Sequence, residues 1–335
     1  MVDSSLFEYG QQSNAQADTL VHFFTGAMDP GGAGRLAVEQ LKEATIVGRV
    51  ATFNPDELLD YRSTRPLATI SSWQIEQMES SQICLDLATD LDGHHFLLLH
   101  GPEPDFRWEA FCEVISSLAT RAGVKKTISL LSVPAGVPHT RPLQVHRLEG
   151  SPVRNQSFLE DDKSIIKISC SLDIFLIERL ARAGFKSSGL VASVPYYLFE
   201  SDYFPAATEL LRTLAAETGL SIPVGDLEAA GSIMVPQIEA MILENPESKG
   251  LIQGLEQSYD SRNQESVGGG ATSEDDLSGF IIPSQEEIGR QLESFLRMEE
   301  DRHRRAHTPK NELGPWSRLS RRSKRKGWPF GTSEK

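Results

Sequence analysis

The sequence predicts an α/β fold: a three-layer α/β/α core built on a mostly parallel mixed sheet, followed by a C-terminal helical extension. Three observations predict it. Short apolar runs alternate with stretches of helical periodicity from residue 19 to about 220, the pattern of strands crossing between covering helices. One turn, Asp92-Gly93, separates two adjacent strand-like runs and adds an antiparallel pair. Beyond Gly219 the strand-like runs cease and only helical spacing remains.

Residues 1–18 are polar and are expected to be a disordered N-terminus, ahead of a core domain over 19–222. TLVHFF (Thr19 to Phe24) is the first strand. The glycine-rich GAMDPGGAG leads from it into a helix that places Leu36, Val38, Leu41 and Ala44 at helical spacing. A strand over Val47 to Phe53 runs into Asn54-Pro55-Asp56-Glu57, an N-cap, a first-position proline and a capping-box acid that start a short helix, DELLDYRS. ICLDLATD and HHFLLLH are the two hairpin strands, the second a buried central strand by its unbroken apolar run. Trp108, Phe111, Cys112, Ile115, Leu118 and Ala119 define a helix that stops at Gly123. Strand ISLLSVP, strand IIKIS, a helix carrying Leu172, Phe175, Leu176 and Leu180, and strand SGLVASV follow. A helix opened by Pro205 and stopped by Gly219 then ends the core.

The helical extension covers 223–300. Ala229 to Tyr259 holds two helices broken near Asn245-Pro246, and 261–279, rich in serine, glycine and acid, is a flexible segment. Ser284 and Glu287 cap a last helix with Ile288, Leu292, Phe295 and Leu296 on one face. Residues 301–335 form a basic tail expected to be disordered. Trp316, Trp328 and Phe330 lie among its charges, so it could contact anionic membrane or nucleic acid.

Composition narrows the function classes. No apolar run approaches the roughly 20 residues of a membrane span, and the first residues lack a basic start and an apolar middle, so a cytoplasmic location is expected. A net charge of −14 opposes nucleic acid as the partner of the body. Cys84, Cys112 and Cys170 are scattered in apolar stretches and are expected to be buried free thiols. No GxGxxG, phosphate-loop, GxSxG or HExxH pattern occurs, so neither a cofactor nor catalysis is indicated. No metal site is expected either: His94-His95 sits beside a hairpin turn without a third ligand in view.

In an open parallel sheet a ligand crevice lies beyond the carboxyl ends of the strands. Four segments fall there. The first loop carries Asp29, Gly31 and Gly32; it reads either as a turn that needs glycine or as an anion cradle at a helix N-terminus. His100 and Glu103 follow the central strand and could serve acid/base chemistry, with Asp105 placed to cap the next helix. His139, Thr140 and Arg141 suit a small anionic ligand, or equally a set of hydrogen bonds tying loops together. Tyr196 and Tyr197 could wall a pocket or plug the sheet end.

Taken in order, GAMDPGGAGRLAVEQL, ATFNPDELLDYRSTRP, FLLLHGPEPDFRWE, LLSVPAGVPHTRP and SGLVASVPYYL with YFPAA resemble the actinobacterial branch of the proteasome assembly chaperone two family, over about residues 19–300. The branch has Asp-Ala-Gly where this chain has Asp29-Pro30-Gly31, and proline stiffens that turn. The resemblance implies a phosphorylase/hydrolase-like core, homo-oligomerisation, and a non-catalytic chaperone-type role exercised through protein partners. Its kinship with nucleoside phosphorylases implies the alternative, a nucleosidase or phosphorylase-like hydrolase or a small-ligand binder using the crevice.

Overall fold

The first ordered element is one that polarity hides. In a computed structural model, which describes residues 3–151, 167–244 and 246–268, β1 (Phe7–Tyr9) pairs antiparallel with β3 (Ile46–Phe53). Leu6 beside it is wholly buried. The expectation of a disordered N-terminus is therefore corrected. One apolar anchor and a free strand edge order a segment whose average composition is polar.

The core follows the predicted alternation. β2 (Thr19–Thr25), α1 (Ala33–Thr45), β3 and the single turn α2 (Pro55–Leu58) come first. A separate hairpin of β4 (Leu67–Ser71) and β5 (Gln74–Glu79) follows. Next are β6 (Cys84–Thr89), β7 (His95–Pro102), α3 (Trp108–Arg121), β8 (Lys126–Ala135) and β9 (Val145–Glu149). The core closes with α4 (Leu172–Arg182), β10 (Lys186–Pro195) and α5 (Phe204–Thr218). Among the described residues eight strands join in the order β1-β3-β6-β7-β2-β8-β10-β9. β7, β2, β8 and β10 are parallel, whereas β1, β3, β6 and β9 pair antiparallel at the wings.

Strand alternation divides β2 between two layers. Phe23 faces α1, where Gly34 packs so closely that a Cβ would lie 2.3 Å from the phenylalanine ring. Leu20 and Phe24 face the other way, into a core shared with α3 and α4. There Phe111 packs at 5.8 Å from Phe24 and 4.8 Å from Phe53. His22 lies on the same side, wholly buried, with Nδ1 2.8 Å from Asp173 Oδ1. Asp173 also accepts hydrogen bonds from Ser129 Oγ and the Phe24 backbone N–H, so one carboxylate ties α4 to two central strands.

Several local expectations change. DELLDYRS gives only one helical turn, because Leu58 and Leu59 are buried and the chain then turns toward Asp105. The described part of IIKIS, from Lys167, is not a strand, and Cys170 beside it is exposed, unlike buried Cys84 and Cys112. Among the described residues the extension consists of α6 (Gly225–Leu243) and α7 (Pro246–Gly268). Helix therefore continues through 261–268, the start of the segment expected to be flexible. The remainder of that segment, the Ser284/Glu287 helix and the basic tail lie outside the described residues. No helix among the described residues is long and apolar enough to cross a membrane.

Candidate functional site

Because β2, β7, β8 and β10 run parallel, the four loops singled out by sequence all leave the same rim. They meet in pairs: His139 bonds to Tyr197, Gly31 N–H donates to Phe199 O, and Glu103 N–H donates to Thr25 O. Among the described residues no hydrogen bond or ion pair joins Asp29, His100, Glu103 and His139; each is committed to a different neighbour.

The glycine loop answers its own helix. Gly31 (φ 68°) and Gly32 (φ 56°) turn the chain into α1. A Cβ on Gly31 would lie 2.9 Å from Tyr203 Cβ, so only glycine fits. Asp29 then accepts from Gly34 N at 2.9 Å, Arg35 N at 3.0 Å and Ser132 Oγ at 2.7 Å. Those N–H groups are the ones an external anion would need, so the protein's own carboxylate occupies the expected cradle.

The histidine and arginine loop is held by the extension. Tyr197 Oη accepts the His139 backbone N–H at 2.8 Å and lies 2.7 Å from His139 Nδ1. The second nitrogen, Nε2, is buried without a hydrogen-bond partner among the described residues. Burial lowers the His139 pKa, against the opposing charges of Glu239 and Glu256. Tyr196 packs edge-on to Tyr197 at 5.6 Å, and burial raises the Tyr197 pKa. Arg141 forks onto Asp260 with two bonds of 2.8 Å and reaches Glu256 at 3.2 Å, while Thr140 also donates to Glu256. Tyr259 Oη donates to Pro142 O at 2.9 Å. The guanidinium offered by sequence to an anion is thus engaged by α7, and the loop-tying alternative is the one realised.

Glu103 accepts the Leu172 N–H at the start of α4. Its pKa is raised, first by burial and then by Asp173 and Asp105. Asp105 does not cap α3, whose N-cap is Arg107. It instead accepts from Asp60 N and Ser63 Oγ, holding the turn after α2.

His100 faces the α1 side of the sheet with groups that the sequence reading missed. Its Nε2 lies 2.9 Å from Asp86 Oδ2, and the other oxygen of Asp86 takes Arg49 Nε. Arg49 Nη1 also donates to Thr52 Oγ1 at 3.1 Å and to Cys84 Sγ at 2.6 Å. Burial opposes ionisation of Asp86, but His100 and Arg49 outweigh it and lower the pKa. Burial pushes the Cys84 thiol up to about 11 despite Arg49, so it is no ready nucleophile. Arg49, Cys84, Asp86 and His100 line a cleft of about 590 Å³ between α1 and the antiparallel wing. Asp86 had one sequence signal: an acid at an alternate position of an otherwise apolar strand.

Near the β6–β7 turn, Asp90 and Asp92 stand within ligand distance of His94, supplying neighbours the sequence reading had not placed. Asp90 is already saturated, accepting from the N–H groups of Asp92, His94 and Ser221 and lying 3.2 Å from His94 Nδ1. That geometry braces a turn.

The sequence profile of the PAC2 family matches residues 23–242. Among solved structures, a Mycobacterium tuberculosis protein of unknown function is 33% identical, with a TM-score of 0.70 over 78% of this chain and 91% of that one. One from Corynebacterium glutamicum, also of unknown function, is 31% identical, with a TM-score of 0.71 over 78% of this chain and 100% of that one. A Mycobacterium tuberculosis proteasome-assembly chaperone homologue shares the fold at 21% identity and a TM-score of 0.60, over 70% of this chain and 99% of its own. No curated protein matches. With the profile spanning most of the α/β core and two relatives above 30% identity, the chain belongs to the PAC2 family.

Proposed function

We propose that this chain is a non-catalytic, chaperone-type PAC2 protein that works in the cytoplasm by binding protein, with a second copy of itself as its first partner. The β4–β5 hairpin carries the reading. Its two strands form a sheet of their own, and every residue in them is exposed. Cross-strand pairs Ile70–Ile75 and Ala68–Met78 give it an apolar face, with Ile70, Ile75 and Met78 exposed by 64%, 65% and 58%. A two-stranded hairpin alone in water is marginal at best.

The turn adds a second reason. Ser72 (φ 51°) and Trp73 (φ 64°) both hold left-handed conformations, which a turn of this kind usually reserves for asparagine and glycine. Strain of this sort clusters at active sites, ligand clamps and switch regions. Here it lifts Trp73, 99% exposed, to the tip. A tryptophan offered with an apolar face is the composition of a binding anchor. The fold shared with a proteasome-assembly chaperone homologue agrees with this role.

Sedimentation velocity on the full chain tests it. The wild type is expected to exceed the 37.0 kDa of one chain, and Trp73→Ser/Ile75→Ser to shift toward that mass. Both positions are exposed, so the variant keeps its core. A wild type at 37.0 kDa at every concentration would overturn the proposal.

A further inference from the structure

The geometry points to a binding site for a small hydroxylated phosphomonoester in the cleft between α1 and the antiparallel wing of the sheet. The cleft's volume of about 590 Å³ lies within the roughly 300–1,000 Å³ of small-molecule pockets. Arg35, Lys42 and Arg49 line it against two carboxylates, Glu39 and Asp86. Arg35 is paired with Glu39 and with Asp202 beside the cleft, and Arg49 with Asp86, which leaves Lys42 as the cation of the lining that no carboxylate pairs among the described residues.

The donors are arranged around a buried carboxylate. Asp86, 5% exposed at its side chain, grips Arg49 through one oxygen and His100 through the other. An ion pair shared in this way fixes the direction of both partners before a ligand arrives. Arg49 uses Nε and Nη1 on the protein, while Nη2 has no partner among the described residues. Lys42 makes no ion pair or hydrogen bond among the described residues, and its charge acts on Cys84 of the opposite wall. A carboxylate ligand would favour a free guanidinium fork, and Arg49's is spent. A compact ammonium lining the same cleft as the free Nη2 suits the point-charge recognition of phosphate.

His100 supplies the second half of the specificity. With Nε2 held by Asp86, the ring leaves Nδ1 for a ligand. A hydroxyl on the ligand, able to donate or to accept, suits that nitrogen in either form of the ring. Gly101 allows the close approach of strands that shapes this wall: its φ is +145°, and a Cβ would lie 2.5 Å from Gln82 O.

Calorimetric titration of the full chain with glycerol 3-phosphate, glycerol, inorganic phosphate and malate tests the assignment. Glycerol 3-phosphate is expected to bind with Kd below about 1 mM, inorganic phosphate more weakly, and glycerol not at all. Lys42→Met, at an exposed position that leaves the core intact, should weaken binding about tenfold or more. Glu39→Gln, which removes a competing carboxylate from Arg35, should strengthen it. Lys125→Met, on a lysine paired with Asp18 outside the cleft, should change nothing. No binding of glycerol 3-phosphate at about 1 mM, equal losses in the Lys42 and Lys125 variants, or preference for malate would each overturn the assignment.

Discussion

Asp173 stands in the first turn of α4 and is 2% exposed. Changing it to alanine removes one acceptor from three donors: His22 Nδ1 at 2.8 Å, Ser129 Oγ at 3.0 Å and Phe24 N at 3.1 Å. The Ser129 hydroxyl can rotate to another acceptor, but the ring N–H and the strand N–H cannot. Each donor left buried and unpaired costs about 1–3 kcal/mol. Removing a buried carboxylate recovers part of its desolvation, and the net for breaking such a buried pair is about 3–5 kcal/mol. That is a large share of the roughly 5–15 kcal/mol by which a domain is stable. Asp173→Asn should cost less, since its oxygen can serve the Phe24 N–H while a His22 tautomer with bare Nδ1 takes its amide hydrogen. Urea unfolding followed by circular dichroism measures both. An alanine variant within about 1 kcal/mol of wild type, or an asparagine variant as damaged as alanine, would refute the reasoning.

Three further outcomes follow from the geometry. Gly101→Ala should destabilise by about 1–3 kcal/mol, because the added methyl meets backbone atoms of Gln82 and Ile83; unchanged urea unfolding would contradict this. Burial opposes ionisation of Asp90, but the N–H groups of Ser221, His94 and Asp92 prevail and hold its pKa at about 2. A depressed carboxyl stabilises the fold above its ordinary value of 3.8, and that contribution is lost as pH falls toward about 2, so acid titration of stability should be shallower in Asp90→Asn. Arg141→Ala should speed proteolysis within α7 while leaving core unfolding unchanged, since its fork to Asp260 and Glu256 holds that helix on the β8 loop; equal cleavage rates would count against this.

Continuous apolar runs made the central strands readable, because β2, β7, β8 and β10 are covered on both faces and need no alternation. The β4–β5 hairpin was not readable. A register shift between Thr69 and Ile70 breaks its alternation, and its Ser72-Trp73 turn lacks the glycine that announces such turns. β9, VHRLE, mixes charge with apolar residues as an edge strand does. The rim of the site was readable from strand ends alone. What occupies the rim was not: Arg141 meets acids 115 and 119 residues away, and Arg49 meets Asp86 through a bulge-shifted register. Asp29 reaches Gly34 and Arg35 only because a one-turn helix over Pro30–Gly32 folds the loop back.

Amide hydrogen exchange over residues 67–79, followed across protein concentration, tests the binding role most directly. If the hairpin docks on a second copy, its amides become protected as concentration rises, and Trp73→Ser/Ile75→Ser abolishes that protection. Full exchange at the earliest time point, at every concentration, would contradict the account.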